Sequence, residues 1–282
     1  DPSVLFVAGM LHRLDGLYDR ALATYDRLLE LDPKDVVIVA FNRARVFTHQ
    51  GLFEEAAAEI DRGRAAEPEH PLLKTFLAVA LFNQGMVDDA QALLEDVLRQ
   101  NPHFDGVLPL IGWCLSSRGQ HEPARALVTD RVREIATADH DIALWLAEFY
   151  AMEGMTEDAL DWVRLAVRIG NENYPLLSRT PKLDGLRQDP RFVELMEELR
   201  LRWDERSRDG ALDSPLSQLV SAATAAGAAI AQVEATAPDF GRLRERAQAQ
   251  IVLAQGFAAE TPTQRVRWID LGPRDARLIE SP

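Results

Sequence analysis

Apolar side chains recur along the first part of the chain at the three- and four-residue spacing of helices with one buried face. Val4, Leu5, Ala8 and Leu11 lead up to Gly16, and Val39, Phe41, Ala44 and Phe47 lead up to Gly51. After each glycine a second amphipathic stretch begins, as in Tyr18, Ala21, Leu22, Tyr25, Leu28 and Leu29. That stretch closes at a proline in 31–34 (Pro33), 66–69 (Pro68) and 100–103 (Pro102). Proline ends a helix because it has no backbone N–H to donate and forces the preceding residue out of the helical region. The pattern predicts a unit of helix, tight glycine turn, helix and proline-marked turn.

The unit returns about every 34 residues, a fixed period that marks a stacked-repeat architecture. Its turn glycines are Gly16, Gly51, Gly85, Gly119 and Gly154, each followed five residues later by Ala21, Ala56, Ala90, Ala124 and Ala159. Seven residues before each glycine stands another small residue: Gly9, Ala44, Ala78, Gly112 and Ala147. Antiparallel helices approach closely only where a side chain is nearly absent. Gly9 with Ala21 and Ala44 with Ala56 are therefore expected to mark close contacts.

These residues give residues 1–171 a resemblance to five tetratricopeptide repeats. Family-type positions are filled by Tyr18 or Phe53 after the turn, Tyr25 in the second helix, Phe47 and Tyr150 in the first, and Pro33, Pro68 and Pro102 at the end. Repeats four and five carry Ala136 and Asn171 where the closing proline would stand. Pro109, inside the fourth repeat's first helix, implies a late start or a kink. Residues 172–208 read as a capping segment and linker. Short turns are expected around Leu176-Leu177 and Leu183–Leu186, then a last helix capped by Asp189 with Pro190 at its first position. Leu195, Met196, Leu199 and Trp203 form that helix's apolar stripe. The fold class expected is all-α: a right-handed α-solenoid of about five helical hairpins with a C-terminal cap.

The resemblance implies that the first helices of successive repeats line a concave groove holding a peptide or partner protein. On that scaffold Phe6, Met10, Phe41, Arg45, Thr75, Val79, Phe82, Trp113 and Glu148 fall near the groove. The set is mostly apolar and aromatic, with one positive and one negative charge. It does not resemble the Lys/Asn/Arg clamp by which some members hold a peptide's carboxylate, since Asn42, Arg45 and Asn83 are too sparse to rebuild it. Trp113 is then either the hot spot of a partner site or, with several of these aromatics, inter-repeat core.

Composition narrows the classes further. The net charge is −14, with 36 acidic and 24 basic residues in 1–208. That argues against a general nucleic-acid surface, which needs clustered Lys and Arg. It leaves a solvated stack or an acidic surface meant for a basic partner. The single cysteine, Cys114, cannot form an internal disulfide or a cysteine-based zinc site, and a reducing cytoplasm fits it. No run is long and apolar enough to span a membrane, and Asp1-Pro2-Ser3 opens without a basic leader. The six histidines lack metal-ligand spacing, and no phosphate loop, dinucleotide fingerprint or nucleophile elbow occurs. The pairs Glu54-Glu55, Asp88-Asp89 and Glu157-Asp158 follow the turn glycines, where acid favours a helix N-terminus. No active site and no cofactor are expected.

Composition shifts again after Trp203, and Asp204–Gly210 reads as a linker. Residues 209–282 are expected to form a helical tail, with an alanine-rich helix over 214–236 and another from Pro238 to about Ala259. A β-hairpin over 265–279 closes the tail, a marginal unit on its own. This part resembles a fragment of a DinG-like ATP-dependent DNA helicase through Val266, Trp268, Gly272, Leu278 and Pro282. It lacks the Walker A lysine, the Asp-Glu-Ala-His box and the cluster cysteines of that family. The reading that follows is a non-enzymatic adaptor binding a protein or peptide. The alternatives are a fragment or accessory subunit of such a helicase, with the repeats as its interaction module, and a regulatory repeat domain of a signalling kinase or cyclase.

Overall fold

The computed structural model describes residues 2–208 and the two segments 266–271 and 276–281. Residues 12–204 form one compact unit, and residues 1–11 with 205–282 fall in another. Every regular element within 2–208 is a helix or a 3-10 turn.

Helices α1 (Pro2–Leu14) and α2 (Tyr18–Leu31) flank Gly16, α3 (Val36–Gln50) and α4 (Phe53–Arg64) flank Gly51, and α5 (Pro71–Asn83) and α6 (Val87–Gln100) flank Gly85. All five turn glycines have φ between 71° and 81°, the left-handed conformation that costs a side chain its comfort and glycine nothing. The ladder alanines Ala44, Ala56, Ala78, Ala90, Ala124, Ala147 and Ala159 are buried, and Ala44 and Ala56 share one apolar cluster with Ile60, Leu73 and Phe76. At Gly112 a Cβ would stand 2.9 Å from the Phe149 ring, so no side chain fits there.

The fourth repeat departs from its neighbours. A 3-10 turn at Asp105–Val107 precedes α7 (Leu108–Ser117), and Pro109 sits in its first turn, so the helix starts late and does not kink. Its partner helix is broken into α8 (His121–Ala126) and α9 (Asp130–Ala136). The break is made by Thr129, whose hydroxyl accepts from the Val132 N–H at 3.3 Å as an N-cap. Asp139 takes the place of the missing proline, accepting from the N–H groups of Asp141 and Ile142 to open α10 (His140–Met152). Helix α11 (Thr156–Arg168) completes the fifth hairpin.

After the repeats come α12 (Tyr174–Arg179), a 3-10 turn over Pro181–Leu186 and α13 (Pro190–Arg208). Asp189 caps α13, accepting from the Arg191 N–H at 2.9 Å, and the Arg191 guanidinium holds its carboxyl down to about 2. Leu177, Leu183, Leu186, Phe192 and Leu199 join the large apolar cluster that begins at Ala78. The segment does more than cover the last repeat, because α12 also packs on α3 of the second repeat. Further on, β1 (Val266–Leu271) pairs antiparallel with β2 (Ala276–Ser281), setting Trp268 opposite Ile279. The helices expected over 214–236 and 238–259 and the turn at Gly272 lie outside the described residues.

Candidate functional site

The first helices of the second to fifth hairpins, α3, α5, α7 and α10, place His49, Asn83, Trp113 and Glu148 along one inner face. That face is covered by the chain's own residues 173–186. The Thr180 hydroxyl donates to Glu148 Oε1 at 2.7 Å, and the Lys182 ammonium donates to Asn83 Oδ1 at 3.0 Å. The same ammonium lies 4.5 Å from the Trp113 ring centre, 5.8 Å from that of Phe82 and 3.8 Å from Glu148 Oε1. Arg179 donates to the His49 carbonyl at 3.3 Å.

Asn173 anchors the start of this segment and is fully buried. Its Oδ1 accepts from the Tyr18 hydroxyl at 2.7 Å and from the Leu176 N–H at 3.1 Å. Its Nδ2 donates to the Arg13 carbonyl at 2.9 Å and contacts His49 Nδ1 at 3.1 Å. Every hydrogen-bonding capacity of the amide is therefore used, and the Leu176 N–H fixes which way it points.

Between segment and helices remains a cavity of about 130 Å³. Phe76, Val79, Trp113, Leu144 and Trp145 supply much of its apolar wall, and Asp141, Glu148, Arg179 and Lys182 its charges. Two atoms of lining residues, Thr48 Oγ1 and Gln50 Oε1, are buried without a hydrogen-bond partner among the described residues. A space of this size admits several waters or one ring-sized group.

A buried charge centre lies beside it. Asp141 takes an ion pair from Arg45 and stands 3.6 Å from Arg13, whose side chain is 0% exposed. Burial first, then Arg13, depresses the Arg45 pKa, and burial depresses that of Arg13. Burial, followed by Arg13 and Arg45, lowers His49 well below its ordinary value and His140 to about 4. Both rings are thus held neutral. Asp139, His140 and Asp141 bring ligand-type atoms within 4.8 Å of one another, but Asp139 is spent on its helix cap and Asp141 faces two guanidinium groups. That is poor ground for a further cation.

The residues expected at the groove divide three ways. Phe6 and Met10 lie on α1, half-buried, in the other compact unit. Arg45, Thr75 and Phe41 are turned into structural roles. The Arg45 guanidinium sits 5.0 Å and 5.2 Å from the ring centres of Phe41 and Phe76 and pairs with Asp141. The Thr75 hydroxyl donates to the Pro71 carbonyl at 2.8 Å. Val79, Phe82, Trp113 and Glu148 do face the inner surface, under the segment. Trp113 is only 2% exposed, belongs to the large core cluster and donates its indole N–H to the Trp145 carbonyl at 3.0 Å. It is inter-repeat core that also forms the floor beneath Lys182, and it is not an exposed anchor. Trp145, Phe76, Thr180 and Lys182 were not singled out from sequence. Trp145 carried one signal, standing 32 residues after Trp113 in the next first helix.

Models of the tetratricopeptide repeat match residues 13–80 and 71–96. No curated protein sequence matches it. Among solved structures it is similar to TTC0263, a thermophilic TPR protein in Thermus thermophilus, at 21% identity and a TM-score of 0.47, over 73% of this chain and 98% of that one. MamA is similar at 18% identity and a TM-score of 0.37, over 57% and 93% of the two chains. YrrB, described as a TPR protein with an unusual peptide-binding site, is similar at 22% identity and a TM-score of 0.35, over 60% and 87%. Neither family match touches residues 209–282, and the helicase resemblance read there is not shown by them. No helix among the described residues is long and apolar enough to cross a membrane.

Proposed function

We propose that the protein is a non-catalytic scaffold whose inner repeat face holds a peptide or a segment of a partner protein. One observation carries this reading: four successive first helices already converge on one short stretch, Arg179–Lys182, α3 through the His49 carbonyl and α5, α7 and α10 through the side chains of Asn83, Trp113 and Glu148. A surface that grips one such stretch has the spacing and chemistry to grip another. Phe82, half-buried at the rim between Trp113 and Lys182, is the residue through which a partner would first make contact.

The test is affinity capture with the full chain, followed by reconstitution with the purified partner. The expected result is saturable binding by the parent and its loss in Phe82→Glu, with a melting temperature close to the parent's. Partner binding unaffected by Phe82→Glu, or no saturable partner at all, would overturn the reading. Trp113→Ala does not serve here. Removing a buried tryptophan costs about 3–5 kcal/mol and confounds binding with folding.

A further inference from the structure

The inner face is filled from within, and the filling fits imperfectly. Arg179, Thr180 and Lys182 reach α3, α5, α7 and α10 through their side chains. The backbone bonds at Thr180 and Leu183 go to Leu176 and Thr180, inside the segment itself. Beneath them remains the cavity of about 130 Å³. A void costs stability, so an occupant that filled it would fit better.

The contacts also state what such an occupant looks like. A hydroxyl meets Glu148, a proline follows it, and an ammonium is held between the Trp113 ring, Asn83 Oδ1 and Glu148. The chain's net charge of −14 draws basic partners from a distance.

We propose that this face is a binding site for a basic segment of a partner protein, with a hydroxyl residue, a proline and a lysine in the order of Thr180-Pro181-Lys182. Residues 179–182 hold the site closed as an internal ligand until the partner exchanges for them. The proposal rests on the scaffold reading and deepens it by naming the partner's chemistry. Tethering gives the internal ligand an effective concentration on the order of millimolar. An isolated peptide therefore competes poorly against the intact chain, and a partner gains by also entering the cavity.

The test needs no identified partner. A fluorescent peptide with the sequence of residues 173–188 is titrated into the full-length parent and into full-length Thr180→Val/Lys182→Ala, which weakens the internal ligand and leaves the receiving side chains intact. The variant is expected to bind about 10-fold tighter or more, and a peptide carrying Lys182→Glu is expected not to bind. A folded variant that binds the peptide no better than the parent overturns the proposal. Dimerisation of the variant without peptide binding assigns the face to a second copy and overturns it too. Hydrogen exchange on the unmodified parent decides the matter if the variant misfolds. Amides of 176–187 should open while α5 and α10 stay protected, and opening only on global unfolding makes the segment permanent core. Loss of Phe82-dependent capture with exchange at 176–187 intact would instead count against the scaffold reading alone.

Discussion

The turns at Gly16 and Gly51 carry the same residue in nearly the same backbone conformation, φ 72° and 78°, and yet do different work. A Cβ at Gly16 would come within 2.5 Å of Pro175 Cδ and 2.9 Å of Asn173 Oδ1. At Gly51, Gly85, Gly119 and Gly154 nothing lies within 4 Å. The later turns need glycine for its backbone freedom alone. The first turn needs it also because the returning segment docks there, with Asn173 on the Arg13 carbonyl and the Trp203 indole N–H on the Gly16 carbonyl at 3.4 Å. Equal positions in a repeat become unequal once a non-repeating segment packs on one of them.

Acid should break this docked end most strongly. His12 and His140 are lowered to about 4, both chiefly by burial, and His49 well below its usual value. Their neutral forms are favoured in the folded state, so the stability they contribute is complete above pH 6.5 and is lost as pH falls toward 4. At pH 5 the loss is on the order of 2 kcal/mol for His12, and His140 and His49 add to it in the same direction. Melting temperatures measured from pH 7 to pH 5 should fall accordingly. A flat profile would mean that these rings are not buried in neutral form.

Gly16→Ala adds left-handed strain to a collision with Pro175 and should cost about 3 kcal/mol in a urea melt. Asn173→Leu removes the acceptor of the Leu176 N–H and the short bond of the Tyr18 hydroxyl and should cost about 2 kcal/mol. Hydrogen exchange should place its effect at the first turn and α12. Gly51→Ala meets only the backbone penalty and should cost about 1 kcal/mol. If the two glycine variants lose the same stability, the distinction between the docked turn and the open turns fails.

The repeat architecture was legible in the sequence because each of its signals is local. A left-handed turn wants glycine, two helices in contact want alanine, and a helix end tolerates proline, all at fixed offsets. The late start of α7 was also within reach, since Pro109 allows a helix to begin beside it but not to run through it. The break between α8 and α9 gave no such sign, because Thr129 reads equally well as an ordinary surface residue until its hydroxyl is seen capping Val132.

The candidate site was half legible. Counting along the repeats put Val79, Phe82, Trp113 and Glu148 near a groove; Val79, Trp113 and Glu148 line the cavity, and the Phe82 ring lies 5.8 Å from the Lys182 ammonium. Nothing in the count could say that the face was already taken. Arg45 looked like the groove's positive charge until Asp141, 96 residues away, claimed it.

By itself, then, the sequence determined where most of the helices begin, turn and end, and which small residues let them pack, because those requirements act over a few residues and repeat. Tertiary structure alone decided what the inner face holds. Asn173, Thr180 and Lys182 lie 155, 32 and 99 residues from Tyr18, Glu148 and Asn83, and because their segment belongs to no repeat these contacts leave no periodic trace along the chain. They exist only because the segment after the last repeat folds back across α10, α7, α5 and α3, where buried hydrogen bonds and an ammonium over an aromatic ring hold it.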